Sequence, residues 1–303
     1  MSPHAPVLSE EVASLFERIN EGLIVDCTLG YGGHAEKLLE RRSRINYIGI
    51  DRDQKALDYS TARLAKFADR FRAIKAAFAD AILTIKEPIA GVLADLGVSS
   101  PQLDDRDRGF GFNSPSLDMR MDQSARFSAA DIVNGCDESE LSRLLFEYGE
   151  ERAANKIAAL IVQNRPFYSA KTLSDLIAAR LPRGRIHAAT LTFQAIRIKV
   201  NDELKQLDSL LSALEIAKPK GAVVCVISFH SLEDRVVKSR FKRWARRCVC
   251  PPTAWRCECG GACELGEILT AKPIIADASE TRSNPRSRSA KLRGFLFKDA
   301  YIL

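Results

Sequence analysis

Three aspartates close apolar runs: Asp26 follows Leu23-Ile24-Val25, Asp51 follows Tyr47-Ile48-Gly49-Ile50, and Asp95 follows Gly91-Val92-Leu93-Ala94. After Asp26 comes a glycine-rich turn, Cys27-Thr28-Leu29-Gly30-Tyr31-Gly32-Gly33-His34. Glycines at such a place let the backbone approach a ligand closely, and a helix starting there offers unpaired N–H donors. An acidic residue at the end of the following strand suits a ribose diol. The spacing G-x-G-G is not the G-x-G-x-x-G that fits a pyrophosphate, and no phosphate-binding lysine follows it. Three carboxylates around one pocket suit a ligand carrying positive charge and repel a pyrophosphate. S-adenosylmethionine, with a sulfonium and an ammonium group, is therefore favoured over a nicotinamide dinucleotide. A βα turn that holds no ligand is the remaining reading.

Further polar groups follow the third aspartate. Asp95-Leu96-Gly97-Val98-Ser99-Ser100-Pro101-Gln102-Leu103-Asp104 delivers a carboxylate, two hydroxyls and an amide directly after an apolar run. Arg108-Gly109-Phe110-Gly111-Phe112 and Leu117-Asp118-Met119-Arg120-Met121-Asp122 add aromatic, basic and acidic groups without periodicity. Long irregular connections inside compact domains are functional or disordered, and the aromatics argue against disorder. The plainer alternative is a domain-crossing loop held by local ion pairs. Nearer the C-terminus, residues 235–247 carry seven basic residues with Phe241 and Trp244 among them. That pattern suits a helix that contacts phosphates and stacks on bases, or else a solvated charged face whose aromatics pack inward. Cys248, Cys250, Cys257, Cys259 and Cys263 are spaced C-x-C-x₆-C-x-C-x₃-C. C-x-C is not the usual zinc-knuckle spacing, so free or redox-labile thiols are favoured over a structural zinc at Cys248, Cys250, Cys257 and Cys259.

The elements that must position these groups alternate at first. Residues 23–25, 47–50 and 91–94 read as strands, and residues 34–42 and 54–69 as helices between them. An earlier helix, capped by Ser9, carries Val12, Leu15, Phe16 and Ile19 on one face. Strands separated by helical patterns imply βαβ units and a mostly parallel sheet, with ligands outside the carboxyl ends of the strands. The alternation then pauses. Residues 104–201 give helices, most clearly over 138–148, 150–163 and 173–181, before a buried-strand run resumes at residues 221–228. An all-helical domain inserted into the sheet domain accounts for this, with sheet-domain parts at 1–104 and 205–303 and the insertion at 105–204. From Thr270 onward the sequence lacks periodicity and is rich in Ser, Arg and Pro, which predicts an extended tail that orders on a partner.

Composition sets the outer limits. The 303 residues are 46% apolar and 28% charged, the balance of a globular protein with a sizeable core. No run of 18 apolar residues and no signal-type N-terminus is present, so a cytoplasmic protein with no membrane partner is expected. The net charge of +6 is unevenly spread: residues 235–303 hold 15 Lys and Arg against 6 Asp and Glu. A mildly acidic body with a strongly basic end points to a polyanion, nucleic acid before an anionic membrane surface.

Several segments resemble one family in order and spacing. They are His4-Ala5-Pro6-Val7-Leu8, residues 26–34, Gly49-Ile50-Asp51-Arg52-Asp53, residues 95–104, residues 117–122 and Tyr148-Gly149-Glu150-Glu151-Arg152. Thr192-Phe193-Gln194-Ala195-Ile196-Arg197-Ile198, Ser228-Phe229-His230-Ser231-Leu232-Glu233-Asp234-Arg235 and residues 284–293 complete the set. The family is the bacterial 16S ribosomal RNA cytosine-N4 methyltransferases, and the resemblance spans nearly the whole chain. It implies a class I, Rossmann-like methyltransferase sheet with the helical insertion used for substrate recognition. It implies methylation of the exocyclic amine of one cytidine in the decoding region of 16S rRNA, in the small ribosomal subunit. By position, the donor would contact Gly32, Gly33, His34, Asp51, Phe78, Asp95 and Gln102. The turn departs from the common methyltransferase form G-x-G-x-G, and Asp95-Leu96-Gly97-Val98 departs from the S/D/N-P-P-aromatic motif of DNA amino-methyltransferases.

The expected chemistry needs no metal, since a sulfonium is already activated. Asp118, with Ser99 or Ser100, is expected to accept hydrogen bonds from the target amine, and Phe229 and His230 to lie beside the target base. Arg235, Lys238, Arg240, Lys242, Arg243, Arg286 and Arg288 are the expected RNA contacts. A nicotinamide-dependent oxidoreductase and a non-catalytic RNA-binding assembly factor are the competing functions, and a homodimer is left open.

Overall fold

The computed structural model describes residues 6–181, 184, 186–251 and 253–299. His4 and Ala5 of the first motif therefore lie outside the described residues. In chain order the elements are α1 (Ser9–Leu15), β1 (Gly22–Asp26), α2 (Gly33–Arg41), β2 (Ile45–Asp51), α3 (Gln54–Arg63), β3 (Phe71–Lys75), α4 (Phe78–Thr84) and β4 (Ile89–Asp95). Helices α5 (Ser100–Asp104), α6 (Ala129–Gly135), α7 (Glu138–Gly149), α8 (Ala154–Gln163), α9 (Ala170–Arg180), α10 (Thr190–Asn201) and α11 (Glu203–Ala217) follow, with no strand between them among the described residues. The chain continues through β5 (Val223–Ser228), α12 (Ser231–Trp244), β6 (Gly266–Ile268), α13 (Ala278–Ser283) and β7 (Lys291–Phe297). Two compact units result, one from residues 1–97 and 205–303, the other from Val98–Leu204.

The first unit is built on one seven-stranded sheet in the order β3-β2-β1-β4-β5-β7-β6. Strands β1 to β5 run parallel to one another, and β7 runs antiparallel between β5 and β6. This is the mostly parallel α/β architecture that the resemblance implies. Apolar side chains cover both faces. Val25, Ile50, Val92 and Val224 face one cluster with Leu210 and Phe241, while Ile24, Leu93, Cys225 and Ile227 face another with Phe16 and Leu38. A strand buried on both faces has no polar alternation to display, which is why β5 is a continuous run of six buried residues. The order reverses at β1, whose neighbours are β2 and β4. The carboxyl ends of these three strands meet there, at the switch point where such sheets bind ligands.

Four local expectations are corrected. Ser9 is the first helical residue rather than the cap; Leu8, at φ 51°, precedes it, and Ser9 Oγ accepts from Lys37 Nζ at 2.6 Å. The helix expected over 54–69 ends at Arg63, after which Ala65–Phe67 form a 3₁₀ turn. The helix expected from residue 150 begins at Ala154, because Glu150 takes a left-handed conformation that ends α7. The segment from Thr270 is not an extended tail. It contains α13 and β7, and β7 is a largely buried strand inside the sheet. Burial on both faces removes the period-2 signal, and Arg293 within β7 is buried against a carboxylate far away in sequence, Asp234. No helix among the described residues is long and apolar enough to cross a membrane.

Candidate active site

The turn between β1 and α2 is fixed by the aspartates around it. Asp26 Oδ1 accepts the Thr28 N–H at 3.0 Å, and Oδ2 accepts the Tyr47 hydroxyl at 2.8 Å. Asp51 Oδ2 accepts the Gly30 N–H at 2.8 Å, and Oδ1 the Asp53 N–H at 2.9 Å. Thr28 Oγ1 accepts the Asp95 N–H at 2.6 Å, which ties β4 to the same turn. Gly30 and Gly32 sit at φ 50° and 75°, left-handed values that admit glycine without strain. A side chain at Gly32 would crowd Leu64 and Ser60, and one at Gly33 would crowd Pro6. Gly32 caps α2, so His34 falls in the first turn of that helix.

The polar atoms left over are informative. His34 Nε2 stands 3.6 Å from Asp95 Oδ2, and both His34 Nε2 and Asp95 Oδ1 are buried without a hydrogen-bond partner among the described residues. Buried polar atoms are rarely left unpaired in native proteins, so such a pair at a switch point fits a polar ligand. Asp26 and Asp51, by contrast, hold the turn itself. Burial pushes the Asp26 carboxyl up to about 6 against the pull of nearby His34, and burial also raises Asp51. The expected convergence of Asp26, Asp51 and Asp95 is thus a division of work: two carboxylates shape the turn and the third keeps a buried oxygen without a hydrogen-bond partner among the described residues. Sequence reasoning misses Thr28 and Tyr47. Tyr47, sitting inside an apolar strand where its hydroxyl demands a partner, carries a signal for its role.

Phe78 is the first residue of α4, just beyond β3, and is half-buried against the core. Phe229 follows β5. Its N–H donates to Glu233 Oε2 at 2.8 Å, and its ring lies 3.6 Å from the position that a side chain at Gly97 would take. His230 caps α12: its Nδ1 accepts the Glu233 N–H at 3.4 Å, and its Nε2 lies 3.2 Å from Glu233 Oε1. Glu233 is 2% exposed and supports Phe229 and His230 together; the H-x-x-E spacing before an apolar helix is its readable capping signal. Asp234, also missed, accepts from Arg293 Nε at 2.6 Å. Burial works to raise its carboxyl, but the Arg293 guanidinium holds it below the usual carboxylate range.

The basic helix differs from expectation. Phe241 and Trp244 are 1% and 2% exposed, stacked on each other and packed against Phe295, so they are core and cannot stack on bases. Val237, Phe241 and Trp244 recur at helical spacing, the signal that places them inward. Arg240 donates to Ser212 Oγ and Glu215 Oε2 and pairs with Asp208, and Arg243 pairs with Glu215. Arg240 is therefore removed from the set of available RNA contacts. Arg235, Lys238, Lys242, Arg286 and Arg288 are exposed, as is Arg243 despite its pairing with Glu215.

In the second unit, Ser99 and Gln102 form a capping box at the start of α5: Ser99 Oγ accepts the Gln102 N–H, and Gln102 Oε1 accepts the Ser99 N–H at 3.0 Å. Ser100 and Gln102 are buried. The stretch around Asp118, irregular in sequence, is firmly held. Arg108, 2% exposed, donates to the Arg120 and Met121 carbonyls, and Asn201 bridges the Met119 carbonyl and the Met121 N–H. Asp118 receives Arg120 Nε at 2.8 Å, Arg120 Nη2 at 2.7 Å and the Arg120 N–H at 2.9 Å. Partial burial works to raise the Asp118 carboxyl, but these bonds prevail and hold it below the usual carboxylate range. It is an ionised acceptor at neutral pH.

Comparison with known proteins adds the following. The model of the MraW methylase family matches residues 1–298. The ribosomal RNA small subunit methyltransferase H of a Nitratiruptor species is 54% identical over 301 residues, which cover 98% of this chain and 99% of that protein. The protein of the same name from Aliarcobacter butzleri is 52% identical over 296 residues, covering 97% and 99%. That from a Sulfurovum species is 50% identical over 302 residues, covering 98% of each.

Proposed function

The chain belongs to the MraW methylase family and is a methyltransferase, and from that premise we propose that it transfers a methyl group from S-adenosylmethionine to the exocyclic N4 of one cytidine in the decoding region of 16S rRNA. Full-length identity of 54% to a ribosomal RNA small subunit methyltransferase H carries this reading. The substrate is the rRNA of the small ribosomal subunit, met in the cytoplasm. The partnerless buried atoms of His34 and Asp95 and the glycine turn fit the donor. Gly32, Gly33, His34, Asp51, Phe78, Asp95 and Gln102 are the proposed contacts. Bound there, S-adenosylmethionine supplies an activated methyl group.

The residues of the chain do the rest. A cytosine amine is a weak nucleophile because its lone pair is delocalised into the ring. An acceptor on its N–H groups favours the pyramidal, nucleophilic form, and fixed dipoles in a dry site make that acceptor effective. We assign this to Asp118 with Ser99 or Ser100; Asp118 is suited because its bonds from Arg120 hold the carboxylate in place and below the usual carboxylate range. Phe229 and His230, held by Glu233, are proposed to seat the unstacked base. Much of the rate then comes from orientation. The exposed Arg235, Lys238, Lys242, Arg243, Arg286 and Arg288 are proposed to contact RNA phosphates, and residues 105–204 to recognise the substrate.

The test is transfer of tritiated methyl groups to small ribosomal subunits from an undermethylated strain, with mapping of the modified base. Label on a single cytidine N4 is expected. Donor binding without incorporation would identify an RNA-binding assembly factor instead, and dinucleotide binding without donor binding an oxidoreductase.

A further inference from the structure

Between the end of α12 at Trp244 and the start of β6 at Gly266, the described residues form neither helix nor strand. The neck of this loop is closed by backbone bonds, Cys263 N–H to the Arg247 carbonyl at 3.0 Å and Leu265 N–H to the Trp244 carbonyl at 2.7 Å. Beyond the neck the described residues of the loop form no apolar core of their own: Val249 is 57% exposed and Trp255 fully exposed. Something other than hydrophobic burial must order it.

Four sulfurs converge inside the loop. The Sγ atoms of Cys248, Cys250, Cys257 and Cys259 all lie within 4.8 Å of one another. Three of them make a nearly equilateral triangle, with Cys248–Cys257 at 3.7 Å, Cys257–Cys259 at 3.5 Å and Cys259–Cys248 at 3.6 Å. A tetrahedral zinc with Zn–S bonds of about 2.3 Å places its sulfurs about 3.8 Å apart, which is the edge these thiols trace. A disulfide needs about 2.0 Å, and none of the eight cysteines is in one. Cys250 Sγ accepts the Glu258 N–H at 3.3 Å, the kind of backbone donor that stabilises a metal thiolate. Gly260 and Gly261, at φ 75° and 69°, turn the chain directly after the fourth sulfur. The fifth cysteine is excluded from the set, since Cys263 Sγ points at the Cys259 carbonyl, 3.4 Å away.

We propose that Cys248, Cys250, Cys257 and Cys259 form a tetrathiolate site for one structural zinc ion, which orders the loop joining α12 to β6. An all-sulfur tetrahedral set selects zinc over hard cations such as magnesium or calcium. Its net negative charge is set among exposed Arg246, Arg247 and Arg256. The C-x-C pairs look unpromising in sequence because spacing alone does not reveal that the chain doubles back between residues 250 and 257.

The full chain, expressed with zinc in the medium and purified without chelator, should carry about one zinc per molecule by elemental mass spectrometry. Cobalt(II) added to the reduced, metal-free chain should give sulfur-to-metal charge-transfer bands and a strong tetrahedral visible spectrum, both lost on adding zinc. Cys257→Ser and Cys259→Ser should abolish both signals, while Cys263→Ser should keep them. Trypsin should cut at Arg256 at least roughly tenfold faster in the metal-free chain than in the zinc form. Absence of zinc together with no cobalt–thiolate band overturns the proposal. So does metal retained by a Cys257→Ser, Cys259→Ser double variant, and bound iron in place of zinc overturns the choice of ion.

Discussion

At the ends of β1, β2 and β4 the chain gathers carboxylates and leaves one of them with a buried, unpartnered oxygen, whereas along α12 and β7 it gathers cations and ties several of them to carboxylates. Asp26 and Asp51 are spent on backbone donors of the turn and on the Tyr47 hydroxyl of β2, while Asp95 and His34 keep buried atoms without partners. In the basic quarter the reverse holds. Arg240 and Arg243 are taken up by Asp208 and Glu215, and Arg293 is buried against Asp234. The lesson is that a charge surplus in sequence overstates the charge on offer. A small acidic cluster can present more unsatisfied chemistry than a long basic segment, because availability depends on what each group already touches.

Four experiments test this contrast. The largest effect is expected from Asp234→Ala, which leaves the Arg293 guanidinium buried without its partner. A loss of about 3–5 kcal/mol in unfolding free energy is expected, read by urea denaturation; a change under about 1 kcal/mol would show that the cation is not structurally closed off. Next comes Asp26. Its carboxyl is pushed up to about 6 in the folded chain, above its ordinary value of 3.8. It therefore contributes stability at low pH that is lost as pH rises through about 6. From pH 4 to pH 7, the stability of Asp26→Asn should move in the variant's favour by about 2–3 kcal/mol relative to the parent. A pH-independent difference would refute the assignment of Asp26 to a buried, turn-shaping role.

Asp95→Asn should weaken S-adenosylmethionine binding by about 10- to 100-fold with little change in stability, measured by calorimetric titration. Unchanged affinity would remove Asp95 from the proposed donor contacts. The smallest effects belong to the exposed cations. Lys238→Ala and Lys242→Ala should each weaken small-subunit binding modestly and lower its salt slope by about one. Arg240→Ala should leave that slope unchanged. A lowered slope for Arg240→Ala would reverse the basic half of the comparison.

Much of the first unit can be read directly. Strands β1, β2, β4 and β5 announce themselves as β-branched runs, and the first three end in the aspartates that mark the switch point. What escapes reading depends on contacts distant in sequence. Arg293 looks like a solvated tail residue until Asp234, 59 residues earlier, is beside it. Residues 104–122 look structureless because their order comes from Arg108 and Asn201 reaching backbone carbonyls, and no periodicity records that. Phe241 and Trp244 are legible in principle, since their spacing with Val237 is helical, but the surrounding arginines draw the reading outward. The turn proposed to hold the donor has a local signature in sequence, whereas the acceptors proposed for the amine sit in irregular segments that have none.

The position of β7 bears on how the chain is made. It is synthesised after the other six strands, yet it lies between β5 and β6. During translation β5 therefore presents an unpaired edge of backbone N–H and C=O groups beside apolar side chains, and β6 has nothing to join, until residues 291–297 emerge. Open edges of this kind recruit other chains. A nascent chain stalled before Lys291 would thus be a ready substrate for chaperones or a seed for aggregation, and the last strand acts as the latch that retires that hazard.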